Sequence, residues 1–215
     1  YKQGATVKIL YVHVPAAFVA INAWFMMLIA SIIWLVRRHH VSALAAKAAA
    51  PIGVAMTIIG LVTGALWGQP MWGTWWEWDP KLTSFLILFL FYIGYIALWS
   101  AVEDPDSAAD LTSILCIVGS VFAVLSRYAT VFWNQGLHQD ASLSVDKEEH
   151  VADVFYYPLL VVMAGFVLLF IWGKNGAWLQ KRSDRISNSR VLWSAVRANI
   201  IDRSEKTPVT ASECK

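Results

Sequence analysis

Residues 82–102 read LTSFLILFLFYIGYIALWSAV, a run of 21 residues without a single Asp, Glu, Lys or Arg. An α-helix needs about 20 mostly apolar residues to cross the roughly 30 Å hydrocarbon core of a bilayer. A surface helix of a soluble protein would carry a polar stripe along one side, and this run has none. The run is therefore typical of a transmembrane helix.

Four other stretches of the chain have the same character. They cover Tyr11–Val36, Ala48–Trp67, Leu111–Phe132 and Val154–Trp172, and the one Asp, Glu, Lys or Arg in all five stretches is Arg127. The whole chain is 58% hydrophobic and 15% charged, whereas soluble domains carry about 25% charged residues. This composition excludes a disordered chain and a nucleic-acid-binding module. It predicts an all-α fold, a polytopic transmembrane helix bundle with five spans.

Five spans place the connecting segments alternately on the two sides of the membrane. One side receives the segments 37–47, 103–110 and 173–215. The other side receives the segments 1–10, 68–81 and 133–153. The first side carries 12 Lys and Arg residues and the second carries 4, so the positive-inside rule makes the first side cytoplasmic.

The same pattern divides the chain into two parts. Residues 1–175 form the predicted transmembrane domain, and residues 176–215 form a basic cytoplasmic tail. Apolar residues recur at helical spacing within the tail, which is compatible with a helix lying on the membrane surface. A simply solvated tail remains the alternative.

The strongest local signal is the stretch WGQPMWGTWWEWDP at residues 67–80, with five Trp in twelve residues on the outward side. Trp is enriched at membrane interfaces, so an aromatic belt is one explanation. The other is a ligand platform. Trp72, Trp75 and Trp76 would share one face if they lay on a helical turn, and such a face is flat, apolar and rimmed by indole N–H donors. It would suit a large planar ligand.

Asp79 and Pro80 predict the start of the third span. Asp is a preferred N-cap residue, and Pro is favoured at the first helical position. Lys81 follows directly and places a positive charge at the membrane face. The capping role of Asp79 is compatible with a supporting role for the tryptophan-rich platform.

Two histidines lie at the outward ends of spans. Pro15 suits the first turn of a helix, which places His13 near the start of the first span. His138 follows the fourth span, with Gly136 suited to the position just after a helix end. A single histidine is most often an ordinary surface or core residue. Two at matched depth beside an aromatic platform favour axial ligation of haem iron, for which imidazole is a standard ligand.

The remaining histidines carry weaker signals. His39 and His40 lie in a basic cluster on the cytoplasmic side, where they are explained as part of the orientation signal. His150 lies in an acidic outward segment, and nothing in its surroundings selects it as a ligand.

Arg127 is the one charged residue within a span. A charge inside the membrane costs about 2.5–3.5 kcal/mol on insertion scales and is usually functional. Its side chain could instead extend to the outer interface and be solvated there. Together with Lys8 and Lys81 it would surround the proposed pocket with positive charge, which is the sign that the propionates of haem require.

These residues resemble a known family. The stretch at 67–79 with Lys81-Leu-Thr-Ser after it is similar to the WWD signature of the haem-handling superfamily. The segments VKILYVHVPAA at 7–17 and WNQGLHQ at 133–139 are similar to two further motifs of one branch of it. That branch is the cytochrome c maturation protein C family, also called haem exporter protein C, of the bacterial System I pathway. The resemblance spans roughly residues 1–175, with three motifs in the family's order.

The resemblance implies a multi-pass inner-membrane protein that holds non-covalent haem b on its periplasmic face, with its carboxyl terminus in the cytoplasm. It implies delivery to the haem chaperone, maturation protein E, beside an ABC transporter (maturation proteins A and B) and the small membrane protein of the pathway, maturation protein D. It implies His13 and His138 as axial ligands and basic partners for the propionates at Lys8 and Lys81. The residues expected to contact haem are Trp67, Trp72, Gly73, Trp75, Trp76, Trp78, Asp79, Lys8, Lys81 and Arg127.

The chain departs from the family pattern in two ways. Family members usually have six spans, so we expect an amino-terminal span to be missing here. The segment 76–80 is also similar to maturation protein F and the System II synthase, which ligate haem to apocytochrome c. A haem lyase subunit is therefore an alternative, as is a membrane carrier for haem or another solute. The chain lacks a phosphate-binding glycine loop and a Cys-x-x-Cys-His motif, and we expect a handling protein rather than an enzyme.

Overall fold

The computed structural model describes residues 4–132 and 155–173. They belong to the first of the two units into which the chain divides, Tyr1–Lys174. The second unit, Asn175–Lys215, lies outside the described residues, and so does the predicted tail. The boundary near residue 175 therefore stays a prediction.

The described residues form a short 3-10 helix and five α-helices. The 3-10 helix covers Gly4–Ile9, and the α-helices are α1 (Leu10–Arg37), α2 (His40–Trp72), α3 (Pro80–Ala101), α4 (Pro105–Phe132) and α5 (Phe155–Gly173). All five α-helices are long and apolar enough to cross a membrane. The prediction of an all-α transmembrane bundle with five spans is confirmed, and the chain is a multi-pass membrane protein.

Two connections are shorter than the sequence predicts. Residues 40–47 belong to α2, so only Arg38 and His39 separate α1 from α2. Residues 105–110 likewise belong to α4. The hydropathy pattern marks only the apolar part of each helix, whereas backbone hydrogen bonding continues into the polar residues beyond the membrane core.

Helices α1 to α4 pack as a closed ring in which each contacts the next and α4 contacts α1. Trp24 of α1 lies at the centre, fully buried, with its ring edge-to-face against Tyr92 of α3 at 4.6 Å between centroids. Its indole Nε1 donates to the Ser120 hydroxyl of α4 at 3.2 Å, and the Tyr92 hydroxyl donates to the Ala20 carbonyl at 2.8 Å. The Trp24 and Tyr92 rings, whose N–H and O–H groups are both hydrogen-bonded, thus connect α1, α3 and α4 in the core.

Small residues on α2 allow these close approaches. A Cβ added to Gly53 would lie 2.2 Å from the Tyr92 ring, and a Cβ on Gly60 would lie 3.0 Å from Phe85. Gly64 and Gly68 continue the same buried face toward the end of α2. Such small-residue rows are typical of contacts between transmembrane helices.

Candidate functional site

Four helix ends meet at one end of the bundle. Neighbouring helices along the chain run antiparallel, so α1 begins, α2 ends, α3 begins and α4 ends there. The connection between α2 and α3 crosses this end and carries the tryptophan-rich stretch. We call this region the Trp-loop end. Lys8, His13 and Lys81 belong to the helix ends on this side of the bundle, and the tryptophans belong to the end of α2 and to the connection that follows it.

The tryptophans do not share a helical turn. Helix α2 ends at Trp72, and Gly73 adopts the left-handed conformation with φ 79°, its N–H donating to the Gln69 carbonyl at 2.9 Å. Trp75 and Trp76 lie beyond this break in irregular backbone. The predicted common face of Trp72, Trp75 and Trp76 on one turn is therefore wrong, because a glycine C-cap ends the helix before a further turn can form.

Four of the five tryptophans form two edge-to-face pairs instead. Trp67 and Trp72 have ring centroids 5.4 Å apart at an interplanar angle of 71°. Trp76 and Trp78 have centroids 5.7 Å apart at 79°. Trp75 is 60% exposed and Trp78 is 73% exposed. The loop therefore offers large aromatic surface, although it comes from separate ring pairs rather than from one helix face.

Trp76 has one unusual feature. Its indole Nε1 is buried, and no acceptor lies within hydrogen-bonding distance of it in the described ranges 4–132 and 155–173. The Thr74 hydroxyl donates to the Trp76 carbonyl at 2.9 Å and so stabilises the backbone that carries this ring. A buried donor without an acceptor costs about 1–3 kcal/mol. An N–H in this state is suited to a ligand that brings its own acceptor.

Asp79 caps α3 as predicted. Its Oδ1 accepts from the Leu82 N–H at 2.8 Å, Pro80 is the first helical residue, and the Asp79 side chain is buried. The cap sets where α3 begins and therefore where the tryptophan loop ends.

His13 lies near the start of α1, within the predicted span Tyr11–Val36. Helix α1 begins at Leu10, so Pro15 is an interior residue rather than a first-turn residue, and that part of the prediction is wrong. The half-buried His13 ring crosses to α2, where Nδ1 lies 3.0 Å from the Gly60 carbonyl oxygen and 3.1 Å from the Thr63 hydroxyl oxygen. A Cβ on Gly64 would lie 3.0 Å from its Cε1.

This contact determines the proton position on the ring. A carbonyl oxygen can only accept, so Nδ1 carries the hydrogen. In the neutral ring, Nε2 then carries the lone pair, which is the state that a metal-ligating imidazole requires. Gly60, Thr63 and Gly64 are residues of the site that the sequence patterns did not reveal. The sequence signal that could have revealed them is the pair of glycines four residues apart, with a threonine between them, in the second half of α2.

The three candidate cations lie at different places. Lys8 is exposed in the 3-10 helix, and Lys81 is the second residue of α3 and half-buried. Arg127 is exposed on α4, five residues before its end, and its guanidinium lies 5.4 Å from the ring centroid of Tyr128. His138 and the motif around it at 133–139 lie outside the described residues, so the pairing of the two histidines stays a prediction.

Comparisons with known proteins identify similar chains. The family model described as heme exporter protein C matches residues 1–191. The heme exporter protein C of Rhodobacter capsulatus is 75% identical over 168 residues, 78% of this chain and 69% of that protein. The protein of the same name from Paracoccus denitrificans is 74% identical over 171 residues, 80% of this chain and 71% of that protein. That of Escherichia coli K12 is 41% identical over 169 residues, 79% and 67% of the two chains.

Proposed function

Because the chain belongs to the heme exporter protein C family, we propose that it holds haem at its Trp-loop end and hands it on during cytochrome c maturation. The protein acts as a handling subunit and not as a turnover enzyme. The observation that carries the proposal is the His13 ring, whose Nδ1 donates to the Gly60 carbonyl at 3.0 Å. In this tautomer the lone pair is on Nε2, the atom that would bind iron.

Other residues at the Trp-loop end supply what a porphyrin needs. The ring pairs Trp67–Trp72 and Trp76–Trp78, with Trp75, offer apolar aromatic surface to the macrocycle. The Trp76 Nε1 donor suits a propionate oxygen. Gly73 permits the turn that brings the loop across the bundle end, and Asp79 anchors its far side.

Charge and the second histidine complete the proposed site. Lys8, Lys81 and Arg127 provide positive charge around the Trp-loop end for the two propionates. His138 is the second axial ligand, so that iron is held between two imidazoles. Non-covalent haem b is the cargo, since the chain has no thioether attachment motif.

The handling step is an exchange of ligands. The Nδ1 hydrogen bonds keep the His13 ring oriented while Nε2 donates its electron pair to the iron of the cargo. Release follows when the haem chaperone, maturation protein E, supplies its own ligand and His13 gives up that bond. The chain has no nucleotide-binding motif, so the energy for release comes from the chaperone or from the ABC transporter formed by maturation proteins A and B, with maturation protein D beside them.

The orientation follows from the charge distribution. The Trp-loop end faces the periplasm of the bacterial inner membrane, and the end with Arg37 and Arg38 faces the cytoplasm, where the tail also lies.

An absorption spectrum of the purified protein tests the proposal. We expect a Soret band and a six-coordinate low-spin spectrum in the wild type. His13→Ala and His138→Ala should each retain some haem with an open axial position, and added imidazole should restore the six-coordinate spectrum. The double variant should lose most haem. His39→Ala and His40→Ala are the matched controls and should leave the spectrum unchanged.

Two results would contradict this assignment. A colourless wild-type protein would favour a carrier for another solute. An unchanged six-coordinate spectrum in His13→Ala or in His138→Ala would remove that histidine as a ligand, and His150 would be the next residue to replace. Thioether formation on bound apocytochrome c by this chain alone would indicate the haem lyase instead.

A further inference from the structure

The contact between His13 and α2 has a feature that ordinary helix packing does not require. Two acceptors converge on one ring nitrogen: the Gly60 carbonyl oxygen at 3.0 Å and the Thr63 hydroxyl oxygen at 3.1 Å from Nδ1. Both belong to α2, whereas His13 belongs to α1. The ring is therefore held from a different helix than the one that carries it.

The Thr63 hydroxyl is itself oriented. It lies within hydrogen-bonding distance of two carbonyl oxygens of its own helix, that of Ile59 at 2.5 Å and that of Gly60 at 3.3 Å, and either can only accept. A hydroxyl that donates to a carbonyl keeps its lone pairs for accepting. The Thr63 oxygen therefore acts as an acceptor toward His13. If the ring carried its hydrogen on Nε2 instead, the lone pair on Nδ1 would face two acceptor oxygens and no hydrogen bond could form.

Gly64 brings the ring close enough for both contacts. The Cβ of an alanine at this position would lie only 3.0 Å from the His13 Cε1, a steric clash that would displace the ring. The glycine, the threonine and the Gly60 carbonyl form one cradle for a single imidazole.

We infer that Thr63 is a positioning residue for haem: with the Gly60 carbonyl it fixes the His13 ring in the form and orientation in which Nε2 coordinates iron. The inference rests on the proposed function and goes beyond it, because Thr63 touches the histidine and not the cargo. Residues that hold a metal-bound histidine through its second nitrogen typically change metal affinity 10–100-fold when removed.

The chain offers a matched control for a substitution at this position. Thr57 lies on the same helix, is fully buried, and its hydroxyl donates to the Gly53 carbonyl at 2.6 Å. Thr57→Val makes the same chemical change as Thr63→Val without touching His13. Thr63→Ser keeps the hydroxyl and serves as the rescue variant.

Haem retention and spectra of the loaded protein test the inference. We expect Thr63→Val to weaken haem retention by about tenfold and to shift the electron paramagnetic resonance signal of the low-spin ferric iron. Thr63→Ser and Thr57→Val should both stay within about twofold of the wild type. Equal effects of Thr63→Val and Thr57→Val would overturn the inference, since they would show a general packing role.

A measurement without haem covers the case in which Thr63→Val does not fold. Nitrogen-15 spectra of histidine-labelled wild-type protein, in alkaline buffer where the ring is neutral, should show His13 with its hydrogen on Nδ1. The His13 signals are assigned by their loss in His13→Ala. A hydrogen on Nε2 would overturn the inference. An unchanged haem spectrum in His13→Ala would instead remove the proposed function, so the two failures are distinct.

Discussion

Two tryptophans near opposite ends of the bundle show how differently those ends are built. Trp34, near the end of α1, donates its Nε1 hydrogen to the Asp110 carboxylate at 2.9 Å, and Arg38 forms an ion pair with the same carboxylate. Trp76, at the Trp-loop end, has a buried Nε1 without an acceptor in the part of the chain that the structure describes. Among the described residues, the Trp34 N–H has an acceptor and the Trp76 N–H has none.

The surroundings extend this difference. At the end with Trp34, His40 Nδ1 lies 3.7 Å from Asp106, and Asp104 caps α4 by accepting from the Ser107 N–H at 2.9 Å. The Asp110 carboxylate and the Arg38 guanidinium form an ion pair there. At the Trp-loop end, the described residues offer aromatic surface together with Lys8, Lys81 and the exposed Glu77, and Asp79 is engaged in capping. The end with Trp34 therefore pairs its charges within the chain, whereas the Trp-loop end leaves aromatic surface exposed.

Trp99 shows that a missing acceptor alone does not identify a ligand site. Its Nε1 is also buried without an acceptor among the described residues, yet the Lys47 ammonium lies 3.9 Å from its ring centroid. The Trp99 ring therefore makes a cation–π interaction with Lys47. The surroundings of the Trp76 donor differ, because the exposed rings of Trp75 and Trp78 lie in the same loop.

The largest expected effect is the loss of the aromatic surface at the Trp-loop end. Replacing Trp72, Trp75 and Trp76 together by Ala should lower haem retention by at least about a hundredfold, because the macrocycle loses most of its apolar contact. Haem content per correctly inserted protein measures this. Trp172→Ala, which removes an exposed tryptophan of α5, should have no effect. Wild-type haem content in the triple variant would establish the aromatic belt instead.

A crossed pair of substitutions sharpens the comparison of the two tryptophans. Trp76→Phe keeps a ring but removes the N–H, and it should weaken haem retention roughly tenfold without lowering the melting temperature of the haem-free protein. Trp34→Phe should do the reverse. It removes a hydrogen bond to a carboxylate and should cost about 1–2 kcal/mol of stability with unchanged haem retention. If both variants changed haem retention and melting temperature in the same way, the proposed difference between the two ends of the bundle would be wrong.

The cap of α3 provides a smaller test. Asp79→Ala removes this buried cap and should cost about 1 kcal/mol, while Asp79→Asn keeps an acceptor and should cost less. Thermal unfolding of the haem-free protein in detergent measures both. The Ala variant should also weaken haem retention, because the end of the tryptophan loop loses its anchor. Normal haem retention in a destabilised Asp79→Ala protein would restrict this residue to a capping role.

The smallest effect is expected at Asp104. The Ser107 hydroxyl, and then the Ser107 backbone N–H, hold the pKa of this exposed carboxyl below its ordinary value. Because the folded pKa is lowered, the stabilising contribution is present above the unfolded pKa of about 3.9 and is lost as pH falls through the folded pKa. The small melting-temperature difference between wild type and Asp104→Ala at neutral pH should therefore vanish in acid. A difference that grows in acid would contradict the cap.

Much of this architecture could be predicted from local sequence. The apolar runs identify the spans because the bilayer core requires about 20 apolar residues whatever the neighbouring helices are. Asp79 and Pro80 mark the start of α3 because capping uses atoms only three residues apart. The grouping of His13 with the tryptophan loop follows from counting membrane crossings.

Other features depend on partners far away in the chain. The sequence alone suggested a single helical face for Trp72, Trp75 and Trp76, whereas Gly73 ends the helix, and the rings form one pair before this break and another after it. Nothing local to His13 reveals its proton position, because the acceptors lie 47 and 50 residues further along the chain. Sequence patterns predict which segments can cross a membrane and where a helix can begin. Only the packing of α1 against α2 decides which nitrogen of His13 can donate its lone pair.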